Sequence, residues 1–219
     1  RPGVGRRVPG WPVALRGVTE SVIATLGPND RWNLAALGLH APREAAADAT
    51  AGDGPGREDA PTDAVTAVTW GDTRTRRNVG RQGGGTVQFS PDPRLFVDAA
   101  LSIAERDEPV HPSADAWVSV ETERVATGES DGTTWRRFRL EPVESGVRDR
   151  RVPTFNRGYA AVVDATVAAS RLSVPAYDTE RLRERLRYFA GVVESAGGPA
   201  EREAFARIDD HVGWRADEP

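Results

Sequence analysis

Between Trp70 and Val79 the chain runs Trp-Gly-Asp-Thr-Arg-Thr-Arg-Arg-Asn-Val, its densest concentration of anion-binding side chains. Thr73 and Thr75 bring hydroxyls, Arg74, Arg76 and Arg77 bring guanidiniums, and Asn78 brings a carboxamide. A guanidinium is a planar fork of donors, and each charge-assisted hydrogen bond it makes contributes roughly 1.5–3 kcal/mol. A short helix beginning near Thr75 would aim its free backbone N–H groups and its positive end at the same spot. That set of groups fits a phosphate. A solvated turn ending in an N-cap threonine fits the same residues.

Other chemistries have less to work with. The chain has no cysteine, which excludes disulfides, thiolate catalysis and Cys-based zinc sites, and agrees with a cytoplasmic protein. All 29 basic residues are arginine, so neither a Schiff-base lysine nor a phosphate-loop lysine exists. His40, His111 and His211 are far apart and lack metal-ligand spacing. Asp107-Glu108 and Asp209-Asp210 read as solvated acidic faces, and no residue announces itself as a catalytic acid or base. A net charge of −4 argues against a dedicated nucleic-acid binder, although Arg136-Arg137 and Arg148–Arg151 form local basic clusters at expected strand ends. No apolar run reaches the roughly 18–20 residues of a membrane span.

The phosphate candidate follows an apolar run, Ala64–Trp70, that reads as a strand. Before it, residues 19–26 and 32–39 flank Gly27-Pro28-Asn29-Asp30 and predict a hairpin. Residues 1–12 read as a loose tail and 41–63 as a flexible surface loop rich in Ala, Gly, Pro and Asp. After the candidate, Gly83-Gly84-Gly85 ends the short helix and opens a strand at 86–90. Pro91-Asp92-Pro93 starts a helix carrying Leu95, Phe96, Ala99, Ala100 and Ile103 on one side. Residues 116–126 and 134–143 predict a second hairpin around Ser130-Asp131-Gly132. Six strands with short helical interruptions predict a closed or partly closed antiparallel barrel over residues 13–152. From residue 153 the period becomes helical, and three helices are expected: one at 157–172, one capped by Asp178 or Thr179, and one opened by Pro199.

The order of these motifs resembles an uncharacterised prokaryotic family, classed as a domain of unknown function and related to the flavin-reductase-like FMN-binding split barrels. The resemblance spans Trp11 to about Trp214. It rests on Glu20–Thr25, Trp32–Gly38, Thr73–Val79, Asp92–Val97, Phe155–Ala160 and Glu201–Phe205 in collinear order. It implies an α+β fold, a split β-barrel with a C-terminal three-helix appendage, that binds FMN at the interface of a homodimer. Carried over by residue, it makes Thr73, Arg74, Thr75 and Asn78 the phosphate and ribityl contacts. Asn33, with the backbone around Leu34 and Ala35, would meet the isoalloxazine edge, with Thr25 nearby. Gln88 stands where relatives often carry Asn, and would reach the flavin or ribityl chain. Asn156 and Arg157 would face cofactor or substrate, and Trp32 or Trp70 would cover a ring face. The implied activity is a redox flavoprotein with a small-molecule partner. The alternatives are a non-catalytic binder of FMN or another phosphorylated ligand, and a deazaflavin-using relative.

Overall fold

The first hairpin forms where two apolar runs flank turn residues. β1 (Val18–Leu26) pairs antiparallel with β2 (Trp32–His40), placing Thr25 opposite Asn33 and Ile23 opposite Ala35. In the turn Asp30 takes a left-handed φ of 58°, a conformation that a short carboxylate side chain tolerates. The computed structural model describes residues 10–42, 63–130, 132–152 and 154–215; most of the 1–12 tail, most of the 41–63 loop and Asp131 of the second turn lie outside them.

The remaining strands are β3 (Thr66–Trp70), β4 (Gly84–Phe89), β5 (Ala104–Arg106), β6 (Ala116–Ser130) and β7 (Thr133–Val147). Their order is β1-β4-β6-β7-β3-β2-β5, and the β1–β2 pairing closes the first six into an antiparallel barrel. The expected six strands are present, β6 and β7 each running about four residues past the predicted end. β5 was not expected: three residues are too few for a readable alternation. β3 meets β2 only at Leu39 and His40, so the barrel is split along the rest of β2. The short helix α1 (Arg74–Gln82) follows β3 and packs on the β1–β2 hairpin and β4. It stops at Gly83, whose φ of 73° is left-handed, and Gly84 then lies so close to Val120 that a Cβ would sit 2.2 Å from its carbonyl oxygen.

The barrel core is built from Ile23, Leu39, Val87, Val118, Phe138 and Leu140, with Val79 contributed by α1. Along β1, Val22, Ala24 and Leu26 alternate with Ser21, Ile23 and Thr25, a pattern that elsewhere accompanies one solvated face. Instead all five residues from Ser21 to Thr25 are buried, so β1 is covered on both faces. Ser21 satisfies its buried hydroxyl by donating to Leu37 O at 2.7 Å.

The chain divides into two compact units, Arg1–Phe89 with Glu105–Arg150, and Ser90–Ala104 with Arg151–Pro219. In the second, the three C-terminal helices α3 (Arg157–Ala169), α4 (Thr179–Ala196) and α5 (Pro199–Val212) are joined by α2 (Pro93–Leu101). Asp92, Asn156 and Asp178 cap α2, α3 and α4 through their side chains. Val97, Val162, Ala165, Leu186, Phe205 and Ile208 form its core. Ile103, expected on the α2 stripe, lies past the helix end at Leu101 and is exposed, because Ser102 is already extended. Arg94 and Arg207 on α2 and α5 both grip Glu203, and Asp98 accepts from Arg207 and from His211 at 3.0 Å. Among the described residues no helix is long and apolar enough to cross a membrane.

Candidate functional site

Helix α1 begins at Arg74, one residue before the expected start near Thr75, and Thr73 caps it. Thr73 is extended (φ −82°, ψ 160°), and its Oγ1 accepts from the Arg76 amide at 3.2 Å while its carbonyl accepts from Arg77 N at 3.1 Å. The amides of Arg74 and Thr75, the first two helical residues, have no acceptor among the described residues. Thr73 therefore caps the helix, and two N–H groups remain open among the described residues.

Four predicted contacts come together, but beneath the helix rather than at its mouth. Thr25, Asn33, Thr75 and Asn78 are all buried. Asn78 Nδ2 donates to Thr25 Oγ1 at 3.1 Å, and its Oδ1 accepts from Arg81 Nη2 at 3.1 Å. Asn33 Nδ2 donates to Thr75 Oγ1 at 3.4 Å, and Arg81 Nη2 also reaches Leu26 O at 2.6 Å. These bonds tie α1 to the end of the β1–β2 hairpin. Each is worth about 0.5–1.5 kcal/mol net, but losing one partner in so dry a place costs about 1–3 kcal/mol. Below them lies a cavity of about 20 Å3 lined by Thr69, Thr75, Thr122 and apolar core side chains. It has room for about one water and none for a flavin ring.

The guanidiniums form the outer layer. Arg74 Nη1 meets Glu105 at 2.9 Å, and the same carboxylate accepts from Asn29 in the β1–β2 turn at 3.2 Å. Arg76 and Arg77 both pair with Asp72, the latter at 3.2 Å. Among the described residues, Arg76 Nε is nevertheless buried without an acceptor. Desolvation, with the like charges of Arg136 and Arg77, holds the Arg76 guanidinium below its ordinary pKa.

The other predicted contacts lie elsewhere. Leu34 and Ala35 sit within the β1–β2 ladder, paired with Ala24 and Ile23, and Ala35 packs on the barrel core. Gln88 is fully buried, and its amide is engaged at both ends: Nε2 donates to Pro109 O at 3.1 Å, and Oε1 accepts from His111 N at 2.7 Å. It holds the loop at Pro109 and His111, and its register beside Val22 puts it on the face away from the core. Arg157 is exposed at the start of α3 in the helical unit, and Asn156 Oδ1 is committed to capping that helix through Gly158 and Tyr159 N. Trp70 is 43% exposed immediately before the bend, whereas Trp32 is half-buried. Arg136, read from sequence only as part of a strand-end cluster, stands opposite Thr69 and beside the α1 arginines, while the adjacent Arg137 is 1% exposed and donates to Thr66. Strand alternation sends the two to opposite faces.

Residues 19–149 match the model of the N-terminal domain of "Protein of unknown function (DUF447)", and residues 156–210 match a second model with the same description. The chain belongs to the DUF447 family. A crystal structure of an FMN-bound DUF447 protein from Methanosarcina mazei is similar over 90% of this chain and 96% of that one, at 23% identity and a TM-score of 0.70. That likeness shows that the DUF447 chain described here has the same fold. Flavoredoxin from Methanosarcina acetivorans aligns over 66% of this chain and 79% of its own, at 10% identity and a TM-score of 0.41. The flavin reductase of styrene monooxygenase from Pseudomonas putida aligns over 63% of this chain and 93% of its own, at 13% identity and a TM-score of 0.33.

Proposed function

We propose that this DUF447 protein binds FMN at the mouth of α1 and works as a redox flavoprotein of flavin-reductase-like type. The observation that carries the reading is the turn at Thr73–Arg76: two backbone amides without acceptors, a capping hydroxyl, and a buried Arg76 Nε lacking an acceptor, all beside exposed Arg74. This donor set suits a dianionic phosphate, whose oxygens accept only, and a helix N-terminus favours the anion further. The Methanosarcina mazei member of the family, described as FMN-bound, supports the choice of ligand.

Thr73, Arg74 and the amides of Arg74 and Thr75 would hold the phosphate. Thr25, Asn33, Thr75 and Asn78 act one layer down, fixing the helix that presents those donors. A cavity of about 20 Å3 is too small for the isoalloxazine, which on this proposal lies on the outer surface. Trp70, exposed one step before the bend, offers an aromatic wall there. A flavin ring on an open surface needs cover from water, and a second copy of this chain would supply it; a homodimer is part of the proposal. When bound, FMN supplies hydride and one-electron chemistry, while the protein supplies orientation and charge.

Titration of the purified protein with FMN and with riboflavin, followed by flavin fluorescence, tests the reading. FMN should bind at least about tenfold more tightly, because only FMN carries the anion that these donors recognise. Equal affinity for the two, or none for either, would refute it. Oxidation of NAD(P)H by the FMN-loaded protein, in the presence of a small-molecule acceptor, then separates a redox enzyme from a flavin carrier.

A further inference from the structure

Charges around the start of α1 do not balance. Glu105 answers Arg74, and Asp72 answers both Arg76 and Arg77. Nearby Arg31 pairs with Asp107 at 3.4 Å and also reaches Glu105 at 3.9 Å, so Arg31 and Asp107 together add one charge of each sign. Arg136 is different: among the described residues its guanidinium has neither a carboxylate nor a hydrogen-bond acceptor. Four guanidiniums therefore face two carboxylates, leaving two positive charges without counter-charge. A phosphate monoester carries about −1.5 to −2 at neutral pH.

Strand register puts Arg136 there. On β7 it pairs with Thr69 of β3, and the next pair, Trp70 with Trp135, ends the ladder. Gly71 N then donates to Thr134 O at 2.8 Å, so the Gly71-Asp72-Thr73 bend leaves β3 alongside β7. Opposed residues of an antiparallel pair share a face, and Thr69 lines the cavity beneath α1 together with Thr75. Arg136 consequently rises from the face that α1 covers, close enough to Arg76 for the two charges to repel. A half-buried cation held among like charges with no acid of its own is costly unless an anion joins it.

We propose that Arg136 is a specificity-determining residue of the flavin site: a strand-borne guanidinium that reaches the phosphate while α1 offers its amides. It selects phosphorylated flavins over riboflavin. This rests on the FMN reading above and adds a residue that neither the motif at 73–78 nor its helix contains.

The test compares the parent with Arg136→Gln and Arg136→Lys, each titrated with FMN and with riboflavin and each melted without flavin. R136Q should weaken FMN binding about tenfold or more and leave riboflavin within about twofold; R136K, which keeps the charge, should recover most of the loss. The flavin-free R136Q protein should melt no lower than the parent, since repulsion on Arg76 is relieved. A parent that prefers FMN together with an R136Q variant that binds FMN equally well overturns this assignment alone. Equal loss of both flavins with a lowered melting temperature also overturns it, by making Arg136 structural. A parent that binds neither flavin overturns the proposed function and this assignment with it.

Discussion

Replacing Asn78 with alanine separates a ligand contact from a buried tie. Asn78 is 4% exposed, donates to Thr25 Oγ1 at 3.1 Å and accepts from Arg81 at 3.1 Å. Alanine removes both bonds and leaves the fully buried Thr25 hydroxyl without its donor. Two hydrogen bonds at about 1 kcal/mol each, plus about 1–3 kcal/mol for the stranded hydroxyl, are offset by about 0.5 kcal/mol of improved helix propensity. A net loss of about 2.5–4.5 kcal/mol is expected. Urea denaturation of the flavin-free protein, followed by fluorescence of its six tryptophans, measures it. A double-mutant cycle with Thr25→Val isolates the pair and should show coupling of about 1–2 kcal/mol, because removing both partners leaves nothing unsatisfied. If Asn78→Ala changed stability by less than about 0.5 kcal/mol, yet weakened FMN binding severely, the tie would be wrong and Asn78 would be a direct ligand contact.

Further expectations follow from the same geometry. Thr73→Ala with Arg74→Ala should weaken FMN binding about tenfold or more while costing about 1 kcal/mol of stability through the lost cap, and an unchanged FMN titration would remove the phosphate assignment. Thr75 is the wrong partner for that experiment, since it is buried under the helix and its loss would disturb the fold. Glu105→Gln should tighten FMN binding about two- to fivefold at low ionic strength, because it frees Arg74; weaker binding would show that Glu105 positions Arg74 rather than competing for it. Hydrogen bonds from Arg94 and Arg207 hold the Glu203 carboxyl below its ordinary pKa. Its contribution to stability is therefore complete above the unfolded value, about 4.3, and is lost as pH falls through the lower folded value. Acid titration by circular dichroism should show that step in the parent and not in Glu203→Gln; coincident curves would contradict it.

Local signals carried far along this chain. The short helix expected near Thr75 begins at Arg74, Pro91-Asp92-Pro93 opens α2, Asp178 rather than Thr179 caps α4, and Pro93 and Pro199 stand at first-turn positions. Capping and proline geometry involve only a few neighbouring residues, so the sequence displays them directly. The turn at 27–30 and the glycines at 83–85 were legible for the same reason. The candidate site was legible as a segment but not as a set of roles. Thr75 and Asn78 have the chemistry of ligand contacts, yet the helix turns both toward Thr25 and Asn33. Gln88 looked equally available until its strand face was known, and only the pairing of β7 with β3 brings Arg136 opposite Thr69.

From sequence alone came the element types, the helix starts, the barrel class and the arginine-rich bend at 73–78, because each depends on residues adjacent in the chain. Tertiary structure alone decided which polar groups are buried as ties, that Gln88 serves a loop, and that Arg136 joins the arginines of α1. The physical reason is register. Side chains alternate faces along a strand, so a one-residue shift in pairing exchanges interior for exterior, and only closure of the barrel selects which pairing holds.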